Sequence, residues 1–208
     1  NQKGVGIAKI KEYAEGFGLA SMTGIDLPGE KTGVIPDPVW KEEVFGEDWR
    51  VGNTYHTAIG QYGFQVTPIE LVRGTAAIAN GGSLVSPHVV KEMGGEDATP
   101  KDEIQTVSVS EENMRIIREG MRAAVESGTA SGLNVEYVDV AAKTGTAELG
   151  ISKNNVNSWV TGFFPYDEPK YAFVVLMEKG PRDNTIGGVS IMRQLLDWMY
   201  WETPEYLD

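Results

Sequence analysis

Cysteine is absent from the 208 residues, which excludes disulfides, thiolate metal sites and a cysteine nucleophile. Histidine is scarce: His56 and His88 are the only two, far apart and outside any His-x-x-x-His or His/Cys ligand pattern. Both read as structural or surface residues, and no metal is expected. Positive charge is also short, with 18 Lys and Arg against 30 Asp and Glu and a net charge of −12. A phosphate backbone needs clustered cations that release counterions, so nucleic acid is excluded as a partner. No apolar run reaches the roughly 18 residues of a membrane span, and Asn1 to Ile10 carry neither a signal-peptide core nor a basic lead. A start at Asn1 that leads at once into a helical pattern is expected of a segment of a longer polypeptide.

What is present suffices for a core: 41% of the residues are hydrophobic, enough for one large domain or two small ones. Ile7, Ile10, Ala14 and Phe17 recur at helical spacing, and Gly18 stops the pattern. Thr23 to Trp49, rich in Gly, Pro and acidic residues, reads as a long ordered loop. Thr67 as N-cap, Pro68 in the first turn and Glu70 three residues after the cap announce a helix, apolar around much of its circumference, that Asn80-Gly81-Gly82 ends. A second strong helix follows Ser110, with Glu111 and Glu112 at its positive end and Met114, Ile117, Met121 and Val125 on one face, up to Ser127-Gly128.

Beyond Val135 the period becomes that of strands, at Tyr137 to Ala142, Asn157 to Phe164 and Tyr171 to Glu178. Residues 171 to 177 read as buried on both faces, and Pro165 to Pro169 as a hairpin loop joining antiparallel strands. A last helix carries Val189, Ile191, Met192, Leu195, Leu196 and Met199, with Trp198 and Trp201 as apolar anchors. The fold class is α+β, an antiparallel sheet backed by helices.

Lys143-Thr144-Gly145-Thr146 lies in or beside the strand that follows Tyr137. Alternation puts Lys143 and Gly145 on one face and Thr144 and Thr146 on the other. A glycine there lets another backbone approach, as when a strand edge accepts an extended peptide. Alone, the tripeptide arises by chance in about one chain in ten of this length; its bland reading is a solvated strand-end lysine beside a bulge glycine. Other features read as structural. The acidic Asp37, Glu42, Glu43, Glu47 and Asp48 lack calcium-loop spacing and read as a solvated loop. Trp40, Phe45 and Trp49 read as packing for that loop, and Gly60-Gln61-Tyr62-Gly63 lacks the Lys-[Ser/Thr] of a phosphate cradle.

Five segments in order, Thr23–Glu30 (TGIDLPGE), Ala58–Gly63 (AIGQYG), Val66–Leu71 (VTPIEL), Ala77–Gly82 (AIANGG) and Ala141–Glu148 (AAKTGTAE), resemble class B penicillin-binding proteins. Asp26-Leu27-Pro28-Gly29-Glu30 most resembles the elongation-type, penicillin-binding protein 2 branch. The resemblance covers nearly the whole chain. It implies a partial penicillin-binding-protein or serine β-lactamase-like fold, with residues 1–208 as the C-terminal portion of one transpeptidase domain whose upstream part is missing.

The resemblance further implies peptidoglycan cross-linking by serine acyl transfer between stem peptides, with β-lactams trapped as donor mimics. The family motifs run Ser-x-x-Lys, Ser-x-Asn, Lys-[Ser/Thr]-Gly, and only the third is in its place. No lysine has a serine three residues before it, so the nucleophile is absent and the isolated chain is expected to be inert; Ser152-Lys153-Asn154 follows Lys143 and reads as coincidence. By resemblance Lys143 supplies positive charge and tunes proton transfer, Thr144 and Thr146 bind the substrate carboxylate, Gly145 admits the ligand backbone, and the Thr146 amide is one oxyanion donor. No cofactor is implied. The implied partners are D-alanyl-D-alanine stem peptides, β-lactams and the missing part of the domain, with self-association of the fragment. The implied location is extracytoplasmic, with a membrane-anchored parent. Two alternatives stay open: a non-catalytic module binding peptides or a cell-wall partner, and a related D-alanyl-D-alanine carboxypeptidase or serine β-lactamase.

Overall fold

The computed structural model describes residues 4–97, 104–150, 153–183 and 186–207. They form two compact units, Asn1–Gly74 with Leu84–Val107 and Thr75–Ser83 with Ser108–Asp208.

The first unit holds α1 (Gly6–Gly16), α2 (Pro38–Phe45), α3 (Val51–Ala58) and the first part of α4 (Pro68–Ala79). The stretch expected as loop from Thr23 to Trp49 thus contains a helix. Its signals are local: the Asp37 carboxylate accepts the Trp40 N–H at 2.8 Å, Pro38 opens the first turn, and Gly46 closes it in the left-handed region at φ 64°. Lys41 is buried; its ammonium donates to the Asp48 carbonyl at 2.5 Å and to Asn53 Oδ1 at 3.2 Å, and pairs with Glu47. The acidic stretch is therefore partly internal wiring, with Asp37 also pairing with Lys11. The rings of Trp40 and Trp49 both meet Tyr62 edge to face, and Phe45, although more than half exposed, meets Trp40 edge to face.

α4 begins as expected. Glu70 is fully buried, and its carboxylate takes the Thr67 N–H at 2.8 Å and the Gly33 N–H at 2.7 Å while Thr67 Oγ1 accepts the Glu70 N–H. The capping box thereby ties the helix start to the bridge between Val34 and Gln65.

The second unit is built on a three-stranded antiparallel sheet in the order β1 (Ala141–Leu149), β2 (Asn155–Phe164), β3 (Tyr171–Pro181). β1 starts later than expected: Tyr137 lies before the strand, where its hydroxyl donates to Asp197 at 2.6 Å and its ring stacks on Tyr200. The motif is thus inside β1. One face of the sheet, with Ala142, Val160 and Phe164, packs on Val125 of α5 (Glu111–Glu126), on Leu133, and on Met192 and Leu196 of α6 (Gly188–Glu202). The other face places Ala141 and Phe163 against Met121 of α5 and Ala79 of α4.

Two burial expectations are corrected. β3 is half-buried or exposed along its length, and among the described residues only β2 pairs with it. In α6 only one stripe, including Met192 and Leu196, meets the sheet; Ile191, Leu195 and Trp198 lie on the outer side and Trp201 is 78% exposed, so among the described residues neither tryptophan anchors the helix to the sheet.

Candidate functional site

Lys143, Thr144, Gly145 and Thr146 occupy consecutive positions of β1, opposite Thr161, Val160, Trp159 and Ser158 of β2. β1 pairs on one side only, so among the described residues its other side is a sheet edge. Buried Ala141 and Ala142 anchor the strand at one end, and exposure begins at Lys143. The sequence thereby produces a strand whose polar motif emerges from the core.

Lys143 is exposed and its ammonium donates to the Thr144 carbonyl at 2.7 Å. Among the described residues no carboxylate pairs with it, in a chain with 30 acidic residues. Its charge is thus compensated only by a neutral dipole and is available to an anion. Antiparallel alternation puts the backbone groups of Thr144 and Thr146 on the same side of the strand.

The two side faces of the motif are differently fixed. On the Lys143 and Gly145 face, the Thr161 hydroxyl donates to the Phe173 carbonyl at 2.9 Å and lies 2.7 Å from the Thr75 hydroxyl. On the other face the Thr144 hydroxyl lies 2.7 Å from that of Thr129. A Cβ added to Gly145 would meet Trp159 Cβ at 3.5 Å, ordinary contact, and Gly145 is not in the left-handed region. Protein packing does not require glycine there.

The four motif residues follow one another in β1, and the sequence did not single out Thr129 and Trp159 beside them. Nothing in the sequence links Thr129 to a strand 15 residues on; only the fold of the intervening turn does. His56 and His88 are exposed and belong to the first unit, whereas β1 belongs to the second. Of Ser152-Lys153-Asn154, Ser152 lies outside the described residues, and Lys153 pairs with Glu148 at 2.7 Å. Among the described residues no group of His, Asp or Glu has the arrangement of a metal site, and no helix is long and apolar enough to cross a membrane.

The sequence is 32% identical over 194 residues to a peptidoglycan D,D-transpeptidase MrdA from Acinetobacter baumannii, covering 85% of this chain and 29% of that protein. The fold matches the penicillin-binding protein PBP2 from Helicobacter pylori in a complex with MreC, with a TM-score of 0.79, 32% identity, and coverage of 94% of this chain and 36% of that one. It also matches Pseudomonas aeruginosa PBP2 in complex with WCK 5153, with a TM-score of 0.81, 27% identity, and coverage of 96% and 46%. The chain spans about a third of the length of the curated relatives it matches. The family described as penicillin binding protein transpeptidase domain matches residues 1–197. The chain belongs to the penicillin-binding-protein transpeptidase domain family, and its relatives are of the PBP2/MrdA type.

Proposed function

We propose that the chain is the C-terminal part of the transpeptidase domain of a peptidoglycan D,D-transpeptidase, and that β1 is one wall of its acyl-transfer cleft. The observation that carries this reading is the emergent edge strand with a lysine that no carboxylate pairs among the described residues, two threonines and a glycine that packing does not require. In this role the Lys143 ammonium attracts the terminal carboxylate of a D-alanyl-D-alanine stem peptide or a β-lactam and tunes proton transfer. The hydroxyls of Thr144 and Thr146 bind that carboxylate, the Thr146 N–H is one oxyanion donor, and Gly145 lets the donor backbone lie against the strand.

The nucleophilic serine with its Ser-x-x-Lys lysine, and the second oxyanion donor, would come from polypeptide upstream of these residues, since the sequence has no Ser-x-x-Lys. By itself the chain has no covalent catalysis, and its exposed apolar residues favour self-association. The parent acts outside the cytoplasm, where its substrate is.

The test is to supply the complete protein with a stem peptide ending in D-alanyl-D-alanine and an acceptor amine. Release of D-alanine together with a cross-linked product is expected. Hydrolysis without transfer would indicate a carboxypeptidase instead, rapid penicillin turnover a β-lactamase, and binding without either reaction a non-catalytic module.

A further inference from the structure

We infer that Thr129 is a positioning residue for anion recognition at β1, acting through the Thr144 hydroxyl. The inference rests on the reading of Lys143 to Thr146 as the carboxylate-binding edge. A threonine hydroxyl has a single proton, and on an exposed strand its direction is not fixed by packing. The Thr129 and Thr144 oxygens are 2.7 Å apart, so one of the two protons lies between them. When Thr129 donates, the Thr144 oxygen is satisfied as an acceptor and its own proton is turned toward whatever anion meets the edge. Donation into Thr144 also polarises that second bond, strengthening it toward a carboxylate.

The turn that carries Thr129 is built to stay in place. Ala130 donates its N–H to the Ala124 carbonyl at 3.0 Å, Ser131 donates to Gly128 at 3.2 Å, and Ala130 and Leu133 are fully buried. Gly128 permits this closure, since a Cβ there would meet Ala124 Cα at 2.8 Å. Thr129 itself is exposed, so its hydroxyl is not placed by the needs of the core.

The experiment uses the complete protein and a pair of penicillins, benzylpenicillin and its methyl ester, which lacks the anionic carboxylate. Thr129→Val keeps the shape and removes the donor; Thr129→Ser restores it. Losing one properly aimed hydrogen bond to the anion should slow acylation by benzylpenicillin about three- to tenfold. The ester should change less than about twofold, and Thr129→Ser should recover most of the rate. Equal slowing with both compounds, no slowing, or a serine variant as slow as the valine variant would overturn the inference. Thr129→Ala gives the same comparison if the valine variant does not accumulate. If the unchanged protein is not acylated by benzylpenicillin at all, the reading of β1 fails, and this inference with it.

Discussion

Gly145 lies directly opposite Trp159 in the β1–β2 ladder, with room for a methyl group at ordinary contact distance. Gly162, in the neighbouring strand, is the reverse case: a Cβ there would come within 2.3 Å of the Ala141 carbonyl oxygen and 2.7 Å of the Phe173 ring. One glycine is demanded by the protein's own packing and the other is not. Gly145→Ala should therefore leave stability within about 1 kcal/mol of the original or raise it, while Gly162→Ala should cost about 1–3 kcal/mol through overpacking. Urea unfolding of the two variants checks this, and β-lactam acylation of Gly145→Ala should fall sharply although its fold is intact. A normal acylation rate in that variant would mean that no ligand backbone approaches β1 at residue 145.

Lys143→Met should reduce acylation by benzylpenicillin about 10²-fold with little change in unfolding, because the ammonium is exposed and, among the described residues, bonds a carbonyl of its own strand and no carboxylate. Stopped-flow rates on the complete protein read this directly.

That residues 143–146 go with a strand was legible, from the strand-like period before them, and the family resemblance of Ala141 to Glu148 singled them out. The strand boundary was not, since Tyr137 to Val140 have strand-like composition yet are drawn off by the Tyr137 to Asp197 bond and the stack on Tyr200. Helix α2 was masked by the Gly, Pro and acidic composition of its surroundings, although Asp37-Pro38 and Gly46 mark both of its ends. Trp198 and Trp201 misled because hydrophobicity alone does not say which side of a helix meets the sheet. Thr129 could not be read at all: its partnership depends on a turn whose closure is tertiary.

Tyr137 offers a titration test of the second unit. Burial, and then the hydrogen bond to the Asp197 carboxylate, push its phenol up to about 12. A folded-state value raised above the usual 10 means that the fold favours the neutral phenol. That contribution to stability is whole below pH 10 and is lost as pH rises toward 12. Tyrosinate absorbance should show one late-titrating phenol that Tyr137→Phe removes. An unchanged profile in the variant would assign the late step to another residue.

Glu70 should be the most sensitive polar residue of the first unit. Its two carboxylate oxygens accept the Gly33 and Thr67 N–H groups, so Glu70→Gln turns an amide NH2 toward one of those donors. A loss of about 1–3 kcal/mol is expected, read as a lower urea midpoint with an unchanged slope.

Intact mass before and after benzylpenicillin, measured on the 208-residue chain and on the protein from its complete coding sequence, tests most directly whether β1 is half of a divided acyl-transfer site. The expected result is one drug adduct on the complete protein, at a serine upstream of these residues, and none on the 208-residue chain. An adduct on that chain, or none on the complete protein, would contradict it.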